Sequence, residues 1–182
     1  MIGYIIIAGI VFLAIIAYIV IYNGLVSTKN KVEQAWSGID VQLKRRANLI
    51  PNLIETVKAY TKHEKEVLEN LTKARTQIMQ AGTNVKKASQ ADNELEGALK
   101  SIFAVAENYP ELKANQNYLK LQQELSNTED LIAAARRIYN SNTAIYNTKI
   151  QSFPNSIIAG IHKFKNSDYF ETGEKAVPGI NL

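Results

Sequence analysis

Very few side chains in this sequence have the types and spacing that catalysis or metal binding requires. Cys is absent, which excludes thiolate chemistry, and only His63 and His162 could supply an imidazole. His63-Glu64 begins like the zinc-protease motif His-Glu-x-x-His, but its fifth position is Val67 and the other His lies near the opposite end of the chain. Because a zinc site needs at least three protein ligands, we predict no metal site and no cofactor, and we interpret His63-Glu64 as a pair on a helix surface.

An enzyme built on this chain would have to use carboxylates or basic side chains on helices. Glu64, Glu107 and Arg137 are the candidates, and each has an ordinary structural role in a helix. The charge is also unlike that of a nucleic-acid-binding protein, because residues 1–91 hold 12 Lys and Arg against 6 Asp and Glu, whereas residues 92–182 hold 9 against 11. We therefore expect no catalytic residue and no nucleic-acid partner, and a basic first half that folds against a slightly acidic second half.

The chain begins with an apolar segment of the length that a membrane requires. Residues 1–28 contain no Asp, Glu, Lys, Arg or His, and 13 of the 21 positions over 2–22 are Ile, Val, Leu or Phe. Twenty-one helical residues span about 31 Å, close to the roughly 30 Å thickness of the hydrocarbon core. A cleaved signal peptide would need a positive start and small residues before a cleavage site, and neither is present. We predict a single-pass transmembrane anchor over residues 1–24. The tyrosines expected at the membrane interfaces are Tyr4, Tyr18 and Tyr22.

The positive charges nearest to this anchor all follow it in the sequence. Lys29 and Lys31 lie directly beyond it, and residues 44–46 add Lys-Arg-Arg. Under the positive-inside rule this asymmetry favours a cytoplasmic soluble domain at a bacterial cell membrane. Almost no chain precedes Ile2, so we expect everything after the anchor to lie on one side.

A helical seam follows the anchor. Positions in alternating steps of three and four from Leu25 to Ile78 are apolar at thirteen of sixteen places, which is the spacing of a helix that packs along one face. The pattern predicts a helix over about 26–80. Pro51 removes one backbone donor, so we expect a kink or a break between Asn48 and Pro51.

The second half predicts further helices separated by short breaks. Gly, Ser, Thr and Asn mark a turn, and the residue before a proline avoids the α region, so Tyr109-Pro110 and Phe153-Pro154 separate helices. The longest of these helices has a seam of its own from Tyr118 to Phe153. The predicted segments are a far turn over 81–91, a short helix over 92–107 with Asp92 as its N-cap, a long helix over 110–151, a short helix over 157–164 and a loose tail with Pro178 and Gly179.

Amphipathic segments of this length cannot stay single in water, because each exposes a continuous apolar stripe. We therefore predict an all-α protein, with an N-terminal transmembrane helix followed by an antiparallel up-and-down helical bundle with long coiled-coil-like helices. The bundle would occupy residues 25–153, and residues 154–182 would form a short helix and an extended C-terminal tail.

Two charged residues, Arg46 and Glu64, interrupt the first seam. About 27 Å would separate them on one straight helix, so they cannot pair with each other. In one interpretation each reaches water or a charge on a returning helix, for which Arg136, Arg137 and Glu129 are candidates. In the other, each sets the register of the helices.

Tyrosines and asparagines are more frequent in the second half than a plain coiled coil would require. Buried Tyr and Asn side chains need hydrogen-bond partners, so an internal polar network is one interpretation. A face that binds another protein is the other. The residues concerned are Asn108, Tyr109, Tyr139, Asn140, Asn142, Tyr146 and Asn147.

Several strings in this sequence resemble those of the LemA family of bacterial proteins. In order along the chain they are AWSGIDVQLKRR (35–46), NLIPNLIETVKAY (48–60), ENYPELKAN (107–115), ARRIYN (135–140) and YNTKIQSFP (146–154). Their order and spacing match over most of residues 22–178. The resemblance implies an N-terminal transmembrane helix and an all-α bundle, usually of four helices, the fourth of which could arise from a break at Pro51. It implies no shared cofactor and no catalytic residue.

The function class that these features favour is a membrane-anchored helical scaffold or interaction protein, without catalytic activity, which associates with itself and organises other membrane components. Its expected partners are the lipid bilayer, further copies of the same chain and unidentified membrane proteins. The alternative is a lipid-binding or membrane-remodelling protein, and a further one is an enzyme that uses carboxylates on the bundle. The anchor contains no Gly-x-x-x-Gly pattern, so dimerisation through it has no specific support.

Overall fold

The computed structural model describes residues 1–61 and 63–172. Within these residues every regular element is an α-helix and no strand is present. The predicted all-α class, with a long apolar N-terminal helix and a helical bundle, is therefore confirmed. The expected tail with Pro178 and Gly179 lies outside the described residues.

Six helices are present in the described residues. They are α1 (Ile2–Lys58), α2 (Lys65–Ala81), α3 (Val85–Ala106), α4 (Pro110–Lys113), α5 (Gln116–Gln151) and α6 (Asn155–Ile161). The chain divides into two compact units, each of which contains part of α1 and part of α5. Among the described residues, the anchor unit comprises 1–36 and 138–168, and the bundle unit comprises 37–61, 63–137 and 169–172. The domain boundaries at residues 24 and 153 stay a prediction.

Helix α1 continues through Pro51, where the sequence predicted a kink or a break. A proline inside a helix leaves the carbonyl four residues earlier without its backbone donor, and here that is the carbonyl of Ala47. Arg75 Nε, on α2, donates to this oxygen at 3.1 Å. The side chain of Arg75 thus replaces the backbone hydrogen bond that Pro51 cannot make.

The first long helix ends at Lys58 instead, and α2 begins at Lys65. Thr61 satisfies this end, since its backbone N–H and its hydroxyl both donate to the carbonyl of Val57, at 3.0 and 3.1 Å. The prediction of one helix over 26–80 is therefore wrong. The break that yields a fourth long segment lies between residues 59 and 64, where neither glycine nor proline signals it in the sequence.

The turn between α2 and α3 is shorter than predicted. Gly82 adopts a left-handed backbone with φ +55°, which glycine takes at little cost. Asn84 Oδ1 then accepts the N–H of Lys87 at 3.0 Å and caps α3. Asp92, predicted as the N-cap, lies buried inside α3, and the small side chains over 88–91 that indicated a loop are mostly buried in the same helix.

Asn115 separates α4 from α5, where the sequence predicted a single helix over 110–151. Its Oδ1 accepts the N–H groups of Asn117 and Tyr118 at 2.9 and 3.1 Å, so Asn115 caps the start of α5. Its Nδ2 donates to the hydroxyl of Tyr60 at 2.9 Å. The predicted end of this helix at Gln151 is confirmed.

The apolar seams are buried as their spacing predicted. Ile39, Leu53 and Leu71 are fully enclosed, and burial of one such side chain stabilises a fold by about 1.5–3 kcal/mol. Phe153, placed at the end of the second seam, is instead 82% exposed, because α5 ends at Gln151 and no longer directs that side chain inward.

Replacing Arg75 by Met should destabilise the protein by about 1–3 kcal/mol, because the carbonyl of Ala47 would be left without a donor. The same replacement in a Pro51→Ala background should cost much less, since residue 51 would again supply its own N–H. Chemical denaturation of the full chain in mild detergent, followed by helical circular dichroism, measures both losses.

Lys73→Met is the matched control, because Lys73 is an exposed basic residue on the same helix. An equal loss for Arg75→Met with and without the proline would show that Arg75 acts by packing and not through the Ala47 carbonyl.

Candidate functional site

Polar and aromatic side chains gather at two places that could carry function, one in each unit. Over residues 1–61 and 63–172, no group of three or more His, Asp or Glu residues is arranged to hold a metal ion.

In the anchor unit, the apolar start of α1 has no protein cover. The side chains over 2–20 are exposed, those of Ile10 and Phe12 by 62% and 63%. Among the described helices, α1 is the one long and apolar enough to cross a membrane. A continuous α-helix satisfies its own backbone polar groups, as a segment in lipid must.

An aromatic group lies where this apolar stretch ends. The hydroxyl of Tyr18 is 2.6 Å from Nε2 of His162, within hydrogen-bond distance. The rings of Tyr22 and His162 have centroids 4.7 Å apart, and Phe164 lies 6.2 Å from Tyr22. Tyr4, near the other end of the apolar stretch, is 82% exposed. The role of the three tyrosines at membrane interfaces stays a prediction, but two of them contact the same histidine.

Lys149, on α5, also contacts α1 just beyond its apolar stretch. Its Nζ donates to the backbone carbonyl of Gly24 at 2.8 Å. A Cβ atom at residue 24 would lie 2.9 Å from that Nζ, so glycine leaves the space that the ammonium group occupies. Lys149 thereby brings a positive charge to the end of the apolar segment.

The extended segment 165–168 is held against α5 by three side chains. Tyr139 and Tyr146 donate their hydroxyl hydrogens to backbone carbonyls of this segment, at 2.8 and 3.0 Å. Asn147 makes two hydrogen bonds with its backbone, both of 2.9 Å. Burial raises the pKa of both tyrosine hydroxyls, which keeps them protonated as donors. For these three residues the interpretation as an internal polar network is confirmed.

In the bundle unit, Arg46 is buried in an ionic contact. Its Nη1 lies 3.1 Å from Oδ1 of Asp92, and its Nη2 lies 3.6 Å from Oε2 of Glu129. The side chains of Arg46 and Asp92 are 2% and 6% exposed, whereas that of Glu129 is 54% exposed. Nε of Arg46 has no hydrogen-bond partner within the described chain. A buried pair of this kind is costly to form and strongly destabilising to break.

Burial also raises the pKa of the Asp92 carboxyl, against the opposing charge of Arg46 and with the help of Glu96. The folded chain therefore holds a proton on Asp92 more tightly than the unfolded chain does. By linkage, the contribution of Asp92 to stability falls as the pH rises above the ordinary carboxyl value of about 4. The role of Arg46 in setting the register of the helices stays a prediction.

The other charged residues singled out in the sequence lie elsewhere. Glu64 accepts the hydroxyl hydrogen of Tyr109 at 3.2 Å, because α1 has ended and Glu64 lies in the turn before α2 instead of in a seam. Arg136 is half-buried. Its positive charge partly offsets the effect of burial, which raises the pKa of Asp92. Arg137 is exposed.

Sequence reasoning missed Asp92 and Arg75 as core contacts. Asp92 has a signal that could have found it, because it continues the three-and-four spacing of Leu95, Leu99 and Ile102 on α3. A carboxylate at such a position indicates a buried partner. Arg75 has no comparable signal, since its acceptor is a backbone atom whose availability depends on a proline in another helix.

The strings NLIPNLIETVKAY and ENYPELKAN meet in the bundle unit through the contact of Tyr60 with Asn115. An open cleft of about 590 Å³ lies beside this contact, and Glu55, Lys120 and Glu124 are among its lining residues. Of the residues in these strings, Asn115 caps α5 and Pro110 begins α4.

Comparison with known proteins identifies the family of this chain. The sequence model of the LemA family matches residues 35–181. Protein LemA of Metamycoplasma hominis is 31% identical over 156 residues, which cover 84% of this chain and 69% of that protein.

Magnetosome proteins are also similar to this chain. Magnetosome protein MamQ 2 of Paramagnetospirillum magneticum is 26% identical over 175 residues, and magnetosome protein MamQ of Magnetospirillum gryphiswaldense is 25% identical over 174 residues. Each match covers 82% of this chain but 64% of the relative, so the chain spans less than two thirds of the length of these proteins. None of the three names states an enzymatic activity, and the apolar start of α1 indicates association with a membrane.

Removing one member of the buried ion pair should cost more stability than removing both. Asp92→Leu alone should destabilise the protein by about 3–5 kcal/mol, because Arg46 would lose its buried counter-charge and keep only the exposed Glu129. Asp92→Leu combined with Arg46→Met should recover most of that loss. Urea denaturation of the full chain in detergent measures Asp92→Leu, Arg46→Met and the double variant.

The exposed pair of Lys44 and Asp40, whose charged atoms are 2.7 Å apart, provides the control. Lys44→Met should cost less than about 1 kcal/mol. If the double variant of the buried pair lost as much as the two single variants together, the pair would not be coupled.

Proposed function

Because this chain belongs to the LemA family, we propose that it is a membrane-anchored helical scaffold without catalytic activity, which associates with itself and organises other membrane components. One observation carries the proposal. Helix α1 is continuous from its exposed apolar start to the part of it that belongs to the bundle unit. Such a chain can be held by lipid at one end while its helical surfaces remain available to other proteins.

Structural use of the polar side chains supports the absence of catalysis. Of the residues that the sequence offered to an enzyme, Glu64 accepts a hydrogen bond from Tyr109 and Glu107 pairs with Lys113. Both carboxylates lie at the turns that join helices, where such contacts stabilise the connection. This supports a positioning role for them.

Exposed apolar side chains on the bundle unit support self-association. Val41 and Met79 are 59% and 46% exposed, and Leu119 and Leu131 on α5 are 40% and 42% exposed. Covering such side chains with a second copy would remove apolar surface from water. Leu131 is the best place to detect this, since a neighbouring copy that packs on α5 would approach it.

Single-cysteine variants test self-association cleanly, because the chain has no Cys. Leu131→Cys should form a disulfide-linked dimer when native membranes are mildly oxidised, since a second copy would bring two such residues together. Lys120→Cys is the matched control, because Lys120 is an exposed polar residue on the same helix. Equal, background crosslinking at both positions, together with a strict monomer in native mass spectrometry, would contradict self-association.

We also propose that the bundle lies in the cytoplasm. The lysines of the anchor unit all follow the apolar stretch in sequence, and cytoplasmic flanks of membrane anchors carry an excess of such residues. They are Lys29, Lys31, Lys149, Lys163 and Lys165.

Labelling of intact cells tests this orientation. Lys120→Cys should react with a membrane-impermeant maleimide only after the cells are permeabilised, because the bundle would be enclosed by the membrane. Ile2→Cys, at the other end of the anchor, should react in intact cells. The reverse pattern would place the bundle outside.

A further inference from the structure

Helix α6 presents an apolar face to the exterior of the anchor unit. Ile157 and Ile161 are 56% and 64% exposed, and their spacing of four residues within α6 places them on one side. Phe153, in the turn before α6, is 82% exposed. Ile158 and Ala159, on the other side, are buried against the protein. A surface helix in water normally exposes its polar side, so this arrangement is the reverse of the usual one.

This apolar face lies beside the end of the anchor. His162 directly follows α6 and contacts Tyr18, with Nε2 and the hydroxyl oxygen 2.6 Å apart. Tyr18 lies about 24 Å along α1 from Ile2, which is close to the roughly 30 Å thickness of a hydrocarbon core. The seven residues of α6 extend over only about 10 Å, so the whole helix lies near the level at which α1 would leave the lipid.

The charge around α6 is entirely basic over a long stretch of sequence. Residues 131–167 contain no Asp or Glu, and Lys163 and Lys165 follow α6 closely. Both of these lysines are exposed. Basic side chains next to an apolar face are typical of helices that lie at the surface of an anionic membrane.

Lys163 occupies a position that would suit glycine better. Its φ is +57°, in the left-handed region, and it follows the C-cap of α6. The N–H of Phe164 donates to the carbonyl of Ala159 at 2.9 Å, and the N–H of Lys163 donates to that of Gly160 at 3.2 Å, which is the hydrogen-bond pattern of a Schellman motif. Lysine costs more conformational energy than glycine in this left-handed conformation.

We propose that α6 and Phe153 lie in the headgroup region of the bilayer beside the anchor, and that Lys163 and Lys165 bind anionic lipid headgroups there. The proposal rests on the membrane-anchored function, because α1 must span the bilayer for α6 to reach its surface. The anchor unit then contacts the membrane at two places, through the transmembrane part of α1 and through α6. Continuity with the anchor, exposed apolar side chains and lysines favour lipid over a second protein as the partner of this face.

Spin labels on single cysteines test where α6 lies. The full chain would be reconstituted in vesicles of phosphatidylcholine with phosphatidylglycerol, and the label would be placed at Ile157, at Ile10 in the apolar stretch, or at Lys120 in the bundle unit. Collision with oxygen, which is soluble in lipid, and with a nickel chelate, which is not, reports depth. We expect the label at Ile157 to lie at an intermediate depth, between the other two.

The outcomes separate this proposal from the one on which it rests. If the label at Ile157 were as accessible to nickel as that at Lys120 while the label at Ile10 stayed protected, the anchor would hold but α6 would not contact lipid. If the label at Ile10 were accessible as well, the anchor itself would fail. If the label at Ile157 were protected equally in detergent and showed coupling between spins, a second copy would cover this face, and the lipid assignment would be overturned.

The role of the lysines is tested with an environment-sensitive dye on Ile157→Cys. Its emission should shift further to the blue in vesicles that contain phosphatidylglycerol than in phosphatidylcholine alone. Lys163→Gly and Lys165→Gln together should abolish that difference. Because glycine suits the backbone at residue 163, unchanged helicity by circular dichroism is expected, and a loss of lipid response cannot then be attributed to unfolding. A full response in the double variant would overturn the role of the lysines.

Discussion

A helix that enters lipid must satisfy its own backbone hydrogen bonds. Helix α1 continues this helical hydrogen bonding from its apolar start into the bundle unit. Pro51 is the one proline inside α1, and it is where that requirement cannot be met within the helix. Arg75 supplies the missing donor from α2, which makes the course of the first helix depend on the packing of the second. The position of α2 therefore depends on a hydrogen bond to the carbonyl of Ala47, which Pro51 leaves without a backbone donor.

Many of the other long-range contacts, like that of Arg75, join a side chain to a backbone carbonyl. Lys149 donates to the carbonyl of Gly24, and Tyr139 and Tyr146 donate to carbonyls of the segment 165–168. A backbone carbonyl is an acceptor whatever the residue type, so these contacts constrain where each helix lies more than which residue it meets. These contacts therefore fix where the helices and the segment 165–168 lie.

The fold class and the apolar seams could be predicted from the sequence because spacing reports burial directly. The breaks could not be predicted as well. Pro51 is a strong helix breaker by local rules, yet a tertiary hydrogen bond overrides it, whereas the true break at residues 59–64 has no glycine or proline. At the candidate sites, Arg46 was conspicuous as a charge in a seam, but its partner Asp92 resembled an N-cap because small polar residues precede it. The pairing of Tyr18 with His162 joins distant parts of the chain, and local pattern carries no information about such contacts.

The anchor unit is assembled from two stretches of chain that are made at different times. His162 follows Tyr18 by 144 residues, and at the usual rate of synthesis of about 5–20 residues per second, about 7 to 29 seconds separate their appearance. During that interval the N-terminal helix has neither Lys149 nor α6 beside it, so its apolar surface is open to lipid before the anchor unit is complete. The order of synthesis thus lets insertion come first, with the C-terminal elements closing around a helix that the bilayer already holds.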